Sequence, residues 1–184
     1  MKVLVVDVGG TSVKISAPGQ GEPRKFDYAA AFGCPVRIIN DAALQALGSY
    51  KGGTMLFLGL GTGLGSTLVV DGVVVPMELA HLSYRKSTYE DYVGVQARAR
   101  LGKKKWRKQV ATVVEHLAAA FRPDDVVLGG GNSRQLTELP PGCRLGDNDN
   151  AFAGGIRLWE HSPPTVRRAK AAREPARTAA KRSH

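Results

Sequence analysis

An α/β fold made from a β-β-β-α-β-α unit used twice is predicted by three observations. Two apolar, β-branched runs, residues 3–8 and 55–59, each turn on closely spaced glycines and return as a second apolar run at 13–17 and 66–70, the pattern of a β-hairpin with a Gly-rich turn. Each hairpin is followed by a further short strand and then by helical periodicity, so the second half repeats the plan of the first. With 43% apolar and 23% charged residues, the 184-residue chain can bury a core in one domain or two small ones.

Residues 24–26 complete the first group of strands, and the β-branched run at 36–39 adds a fourth. Residues 42–47 read as a short helix stopped by Gly48, with Gly52 and Gly53 as a hinge-like break. Beyond the second hairpin, 73–75 is a strand. A long helix follows, in which Val110, Val113, Val114, Leu117 and Phe121 fall on one face at 3.6-residue spacing. Ahead of that face, Lys103-Lys104-Lys105-Trp106-Arg107-Lys108 reads as a solvated helix start. Cations there oppose the helix dipole, which leaves an anion-binding role open. Strands at 126–128 and 144–145 and a helix at 150–160 end the fold. The break near residue 50 divides the chain into a first lobe, 1–50, and a second lobe, 51–160.

The net charge of +10 resides mainly in the remaining segment. Residues 161–184 carry seven basic side chains against Glu174, a net +6, which leaves +4 for residues 1–160. With Val166 as its only large aliphatic residue, this tail reads as a disordered, solvated extension that could touch polyanions. No window approaches the ~18 apolar residues of a membrane span, and the N-terminus shows no signal-peptide pattern, which predicts a cytoplasmic protein with no membrane partner. Cys34 and Cys143 stand far apart and outside any CxxC spacing, so both are expected as buried free thiols.

The chemistry-bearing residues cluster at the turns. Asp7 ends the first strand before Gly9, Gly10, Thr11 and Lys14, and Gly61, Thr62 and Gly63 form the second turn; such glycines let backbone N–H groups face an anion with no Cβ in the way. Asp7 is equally readable as a turn cap or as a ligand for a hard cation. Asn40-Asp41 lies at a strand-to-helix junction, where either residue can cap the helix; a general base beside a reacting hydroxyl is the other reading of Asp41. Gly129-Gly130-Gly131-Asn132 is by itself a Gly-rich turn after a strand.

The paired hairpins, with Asp7 before Gly-Gly-Thr, resemble the actin-like ATPase and sugar-kinase superfamily. This resemblance implies an α/β, actin-like (ribonuclease H-like) fold of duplicated lobes that close on a donor's phosphates, with Asp7 holding Mg²⁺ through water. Asn40-Asp41-Ala42-Ala43, then GLGTGLGS, then Glu78-Leu79-Ala80-His81-Leu82 follow in the order found in the ROK family of sugar kinases and regulators. TYEDYVG, KKKWRK, VVLGGGN, LPPGCRLGDN and NAFAGGIRLWE are similar to stretches of its polyphosphate glucokinase-like branch. The resemblance covers residues 1 to about 160. It implies phosphoryl transfer from polyphosphate or ATP to the 6-hydroxyl of glucose or a similar hexose, with Asp41 as base and Asn40, Glu78, His81 and Glu90 as sugar ligands. Asp7, Gly9, Gly10, Thr11, Lys14, Gly61, Thr62, Gly63, Gly129, Gly130, Gly131 and Asn132 would face the phosphates or nucleotide. It also implies a homodimer through the second lobe.

Three departures qualify this pattern. The helix, strand, helix and sugar-contacting loop that the family places before the Asn-Asp strand have no counterpart: residues 27–36 are barely enough for one helical turn. The first lobe is therefore truncated, and weakened glucose binding, or none, is expected. Ala80 replaces the glycine of the Glu-x-Gly-His element, which would cost about 1 kcal/mol if that position needs positive φ. The zinc-binding cysteine cluster is absent, as in the polyphosphate branch, so no zinc is expected. The alternative function is an inactive kinase-derived remnant that binds phosphate or polyphosphate. A DNA-binding regulator is disfavoured, because the first strand begins at residue 3 and leaves no room for a helix-turn-helix.

Overall fold

A computed structural model of the chain describes residues 37–160, together with Gly33 and Pro35. The predicted strands at 3–8, 13–17 and 24–26, and the tail, lie outside the described residues. Helix α1 (Asp41–Ser49) precedes strands β1 (Thr54–Leu60), β2 (Leu64–Val70) and β3 (Val73–Met77). The two-residue strands β4 (Ser83–Tyr84) and β5 (Ser87–Thr88), the short helix α2 (Glu90–Val93) and the long helix α3 (Val95–Phe121) follow. Strands β6 (Asp125–Gly129) and β7 (Cys143–Leu145) and helix α4 (Asn150–Glu160) end the described fold.

The main sheet has the order β3-β2-β1-β6-β7. β1 and β2 pair antiparallel from Thr54 opposite Val70 to Leu60 opposite Leu64, and β1 pairs parallel with β6. The central strand β1 is apolar almost throughout because helices cover both of its faces. Its alternate residues divide between two clusters: Leu56, Leu58 and Leu60 pack with Val110, Val113, Val114 and Leu117 of α3, while Met55 and Phe57 pack with Ala42 and Ala46 of α1. β3 lies at the sheet edge, which is where Pro76 is tolerated because its missing N–H would face no neighbour.

Three expectations about these elements are corrected by the structure. Residues 37–39 are not in a strand, and Ile38 is exposed; β-branched residues describe an extended chain as readily as a paired one. Gly48 does not stop α1, which runs on to Ser49. The basic stretch does open a helical segment, at Lys103, where Gly102 breaks α3 at φ 75°, ψ 157°; a further helical segment from Val95 precedes the break. Trp106, in the middle of the lysines, is fully buried and donates its indole N–H to the Val93 carbonyl at 2.8 Å.

Cys143 is a free thiol but only half buried, and Cys34 lies outside the described residues. Burial, with the Asp125 carboxylate adding to it, pushes the Cys143 thiol up to about 11 from 9.0. A raised folded value favours the neutral thiol, so this group's contribution to stability is complete below pH 9 and is lost as the pH climbs towards 11. Site-resolved mass spectrometry after iodoacetamide treatment should find Cys143 unlabelled at pH 8 and labelled near pH 11 in folded protein.

Candidate functional site

Asn40 and Asp41 are placed by the start of α1. Asn40 is the N-cap: its Oδ1 accepts from the Ala42 amide at 2.8 Å and the Ala43 amide at 3.3 Å. Asp41, the first helical residue, is exposed, and its Oδ1 accepts from the same Ala42 amide at 2.8 Å. The cap thus falls to Asn40 and leaves Asp41 at the helix mouth. Asn40→Ala should lower stability by about 1 kcal/mol, read as a shift of the urea midpoint at constant slope.

The far end of α1 is held by the last third of the chain. Arg157 Nη1 donates to the carbonyls of Leu47, Gly48 and Tyr50 at 2.8–3.2 Å, satisfying groups that a helix C-terminus leaves without partners. Arg144 donates to the Ser49 carbonyl at 2.6 Å while also pairing with Asp125 at 2.6 Å, and Asn150 donates to Ser49 Oγ at 2.9 Å. Asp41 is therefore carried on a helix clamped at its opposite end.

The Gly61-Thr62-Gly63 turn joins β1 to β2 and closes with Gly61 N donating to Gly63 O at 3.1 Å. Its geometry depends on the turn after β6. Asn132 Nδ2 donates to the Gly61 carbonyl at 2.8 Å and Asn132 N to the Leu60 carbonyl at 2.9 Å. Gly130, at φ +77°, leaves no space for a side chain, since an added Cβ would stand 2.6 Å from Leu60 O. The residues that follow form a single 3-10 turn, Ser133–Gln135.

Glu90 reaches the same hairpin from the other side. Its Oε2 accepts from the Leu64 amide at 3.2 Å, and a Cβ on Gly63 would lie 1.9 Å from that oxygen. A reciprocal cap frames it: Thr88 Oγ1 accepts from Asp91 N at 3.3 Å, while Asp91 Oδ2 accepts from Thr88 N at 3.2 Å. Hydrogen bonds from the Ser87 and Thr88 hydroxyls hold the Asp91 carboxyl below its ordinary range. The segment carrying Glu78 and His81 is tied to β2 by Ser66 Oγ, which donates to Met77 O and accepts from Leu79 N, both at 3.1 Å. Ala80 is buried and does not have positive φ, so the anticipated strain there does not arise.

These elements enclose one cleft of about 430 Å³ whose lining includes Asp41, Glu78, His81, Glu90, Gly61, Thr62, Gly63 and Gly130. Of the residues that the motifs single out, Asn40, Gly129, Gly131 and Asn132 do not line it, although Gly129 and Asn132 support its wall; Asp7, Gly9, Gly10, Thr11 and Lys14 lie outside the described residues. Gln45, one turn after Asp41, also lines the cleft. Sequence reasoning missed it, although its i+4 spacing from Asp41 was the available signal. The lining holds three carboxylates and a histidine but no Lys or Arg among the described residues. No group of three or more His, Cys, Asp or Glu side chains that could hold a metal gathers among the described residues, and no helix among them is long and apolar enough to cross a membrane.

The chain is 31% identical over 119 residues to the polyphosphate glucokinase of Mycobacterium tuberculosis (strain CDC 1551 / Oshkosh), a match that covers 59% of this chain and 45% of that protein. It thus spans about half the length of the curated relatives it matches. The crystal structure of an inorganic polyphosphate/ATP-glucomannokinase from Arthrobacter sp. strain KM superposes with a TM-score of 0.61 at 28% identity, over 72% of this chain and 60% of that one. A ROK family glucokinase from Streptomyces griseus, solved in complex with glucose and AMPPNP, shares the fold with a TM-score of 0.59 at 16% identity, over 74% of this chain and 72% of that one. No protein-family model matches the chain.

Proposed function

For a chain that resembles the polyphosphate glucokinases in sequence and has the fold of the actin-like ROK sugar kinases, we propose phosphoryl transfer from polyphosphate or ATP to the 6-hydroxyl of glucose or a similar hexose. The observation that carries this reading is the shared cleft, in which Asp41, Glu78, His81 and Glu90 stand around the Gly61-Thr62-Gly63 turn. The sugar's 6-oxygen attacks the terminal phosphorus of the donor and gives its proton to Asp41, while the bond to the leaving phosphate breaks and that phosphate departs with the electron pair. Glu78, His81 and Glu90 fix the acceptor's other hydroxyls. Asn40, whose Oδ1 is occupied by the helix cap, offers its Nδ2 to the sugar. The N–H groups of the second hairpin face the donor's phosphates, and Gly129 to Asn132 keep that hairpin in place.

Three carboxylates around a phosphate require compensating charge. Mg²⁺ neutralises donor oxygens when bound, and Asp7, Gly9, Gly10, Thr11 and Lys14 of the first hairpin are assigned to the same task by the motif. We further read residues 1–50 and 51–160 as two lobes, the protein as a cytoplasmic homodimer through the second lobe, and specific DNA binding as absent.

The test is a coupled assay for glucose 6-phosphate with Mg²⁺ and either ATP or polyphosphate. Product names the donor. No product with either donor, from protein shown by circular dichroism to be folded, favours the second reading, a phosphate-binding remnant, to which the short stretch at residues 27–36 also points.

A further inference from the structure

We propose that Glu90 makes acceptor and donor binding interdependent: a sugar held at one oxygen of its carboxylate steadies the phosphate-binding turn through the other. This rests on the reading of the cleft as a sugar-kinase site, and it gives Glu90 a positioning role besides that of sugar ligand. Glu90 is bonded to each wall of the cleft that the reaction would use. Its backbone N–H donates to the Ala80 carbonyl at 3.1 Å, in the segment that carries Glu78 and His81, and its carbonyl accepts from Gly94 N at 2.8 Å. The next residue, Val95, donates its N–H to the Thr62 carbonyl at 3.1 Å, in the turn between β1 and β2. The Glu90 side chain reaches the same turn directly, Oε2 accepting from the Leu64 amide at 3.2 Å. Its Oε1 has no hydrogen-bond partner among the described residues and is not buried.

The carboxylate rests against the turn with no room between them: a Cβ on Gly63 would lie 1.9 Å from Oε2 and 2.7 Å from Cδ. The carbonyls of the turn are already occupied, Gly61 O by Asn132 Nδ2, Thr62 O by Val95 N and Gly63 O by Gly61 N. What it has left to offer a ligand are N–H donors, the groups that suit an anion. One bond of 3.2 Å, at the long end of the N–H···O range, leaves the Glu90 carboxylate free to turn about its last torsion. Sugar hydroxyls donating to Oε1 fix that torsion, so a phosphate chain then meets a turn that is already ordered. The same hydroxyls disperse negative charge that would otherwise repel the phosphates. Both effects have one sign, and linkage makes them reciprocal: the donor tightens sugar binding by the factor by which the sugar tightens the donor's.

The experiment measures, on the full chain with Mg²⁺, the Kd of tripolyphosphate and of AMPPNP by calorimetry, each with and without saturating glucose, and follows the backbone amides by ¹H–¹⁵N NMR with glucose alone. The expected result is about tenfold tighter donor binding in the presence of glucose, and a shift of the Gly63 and Leu64 amides when glucose is the only ligand. Gly63→Ala disconnects the bridge, because its methyl group takes the place of Glu90 Oε2. The obstacle is the end of one flexible side chain and Gly63 is not at positive φ, so the variant should fold. In it the tightening should fall below about twofold, whereas coupling by direct contact between sugar and phosphate would survive. Glucose that moves the Ala80 and His81 amides but not that of Leu64, or tightening that persists in Gly63→Ala, overturns the bridge and leaves the cleft reading standing. No response to glucose or to either donor overturns both.

Discussion

Asp41→Asn is expected to lower hexose phosphorylation by about 10²–10⁴-fold, the contribution of a positioned general base, with the far-UV spectrum unchanged. The separation of activity from stability follows from where Asp41 sits. It is exposed at the first helical position, so its carboxylate is not part of a buried network whose loss would unfold the helix. The asparagine Oδ1 can still accept from the Ala42 amide as Asp41 Oδ1 does, and the N-cap itself is Asn40. The remaining structural cost is the loss of one negative charge at a helix N-terminus, about 0.3–1 kcal/mol. Asparagine cannot accept a proton at neutral pH, so the loss should fall on kcat, whereas Glu78→Gln should act mainly on KM for the sugar. A variant that keeps the parent's kcat would remove Asp41 from the base's role.

How far the sequence carried the fold can be judged from particular residues. Alternation and glycine spacing placed β1, β2 and β6 and the hairpin between β1 and β2 because strand periodicity is a local property. The buried face of α3 was legible for the same reason. Gly48 was misread because a glycine near the end of an apolar run looks like a stop, and only the approach of α4 shows it to be a crossing point. The long helix was opened at Lys103, directly after the Gly102 break; the helical segment from Val95 ahead of that break was not placed, because it carries no clear apolar stripe of its own. At the site, the motifs brought Asp41, Glu78, His81 and Glu90 forward, and the structure sets all four around one cleft. It also shows what spacing does not encode: Glu90 holding the Leu64 amide, Asn132 holding Gly61, and Gln45 left unpaired beside Gly129.

Gly154→Ala should destabilise the fold by about 2 kcal/mol or more, and Gly48→Ala should do the same, against the roughly 1 kcal/mol gain in helix propensity that replacing glycine brings. Both glycines lie where α1 and α4 touch backbone to backbone. A Cβ on Gly154 would stand 1.9 Å from Leu44 O, and one on Gly48 would stand 1.8 Å from Asn150 O. Neither obstacle is a side chain that can rotate aside, so the helices must separate or shift. The clamp from Arg157 to the end of α1 resists that movement, because its carbonyl partners at Leu47 and Gly48 belong to the displaced helix and the third, Tyr50, follows it directly. Gly131→Ala is the control: nothing lies within 4 Å of its added Cβ, and the urea midpoint should scarcely move. The consequence reaches the site as well, since α1 carries Asp41 at its other end, and a helix displaced at Gly48 alters the distance from the base to the Gly61–Gly63 turn. Protein that remains folded should therefore lose kcat at nearly constant KM, the mark of a base moved out of line. A rise in the unfolding midpoint of Gly154→Ala, as propensity alone predicts, would show that the two helices do not cross this closely.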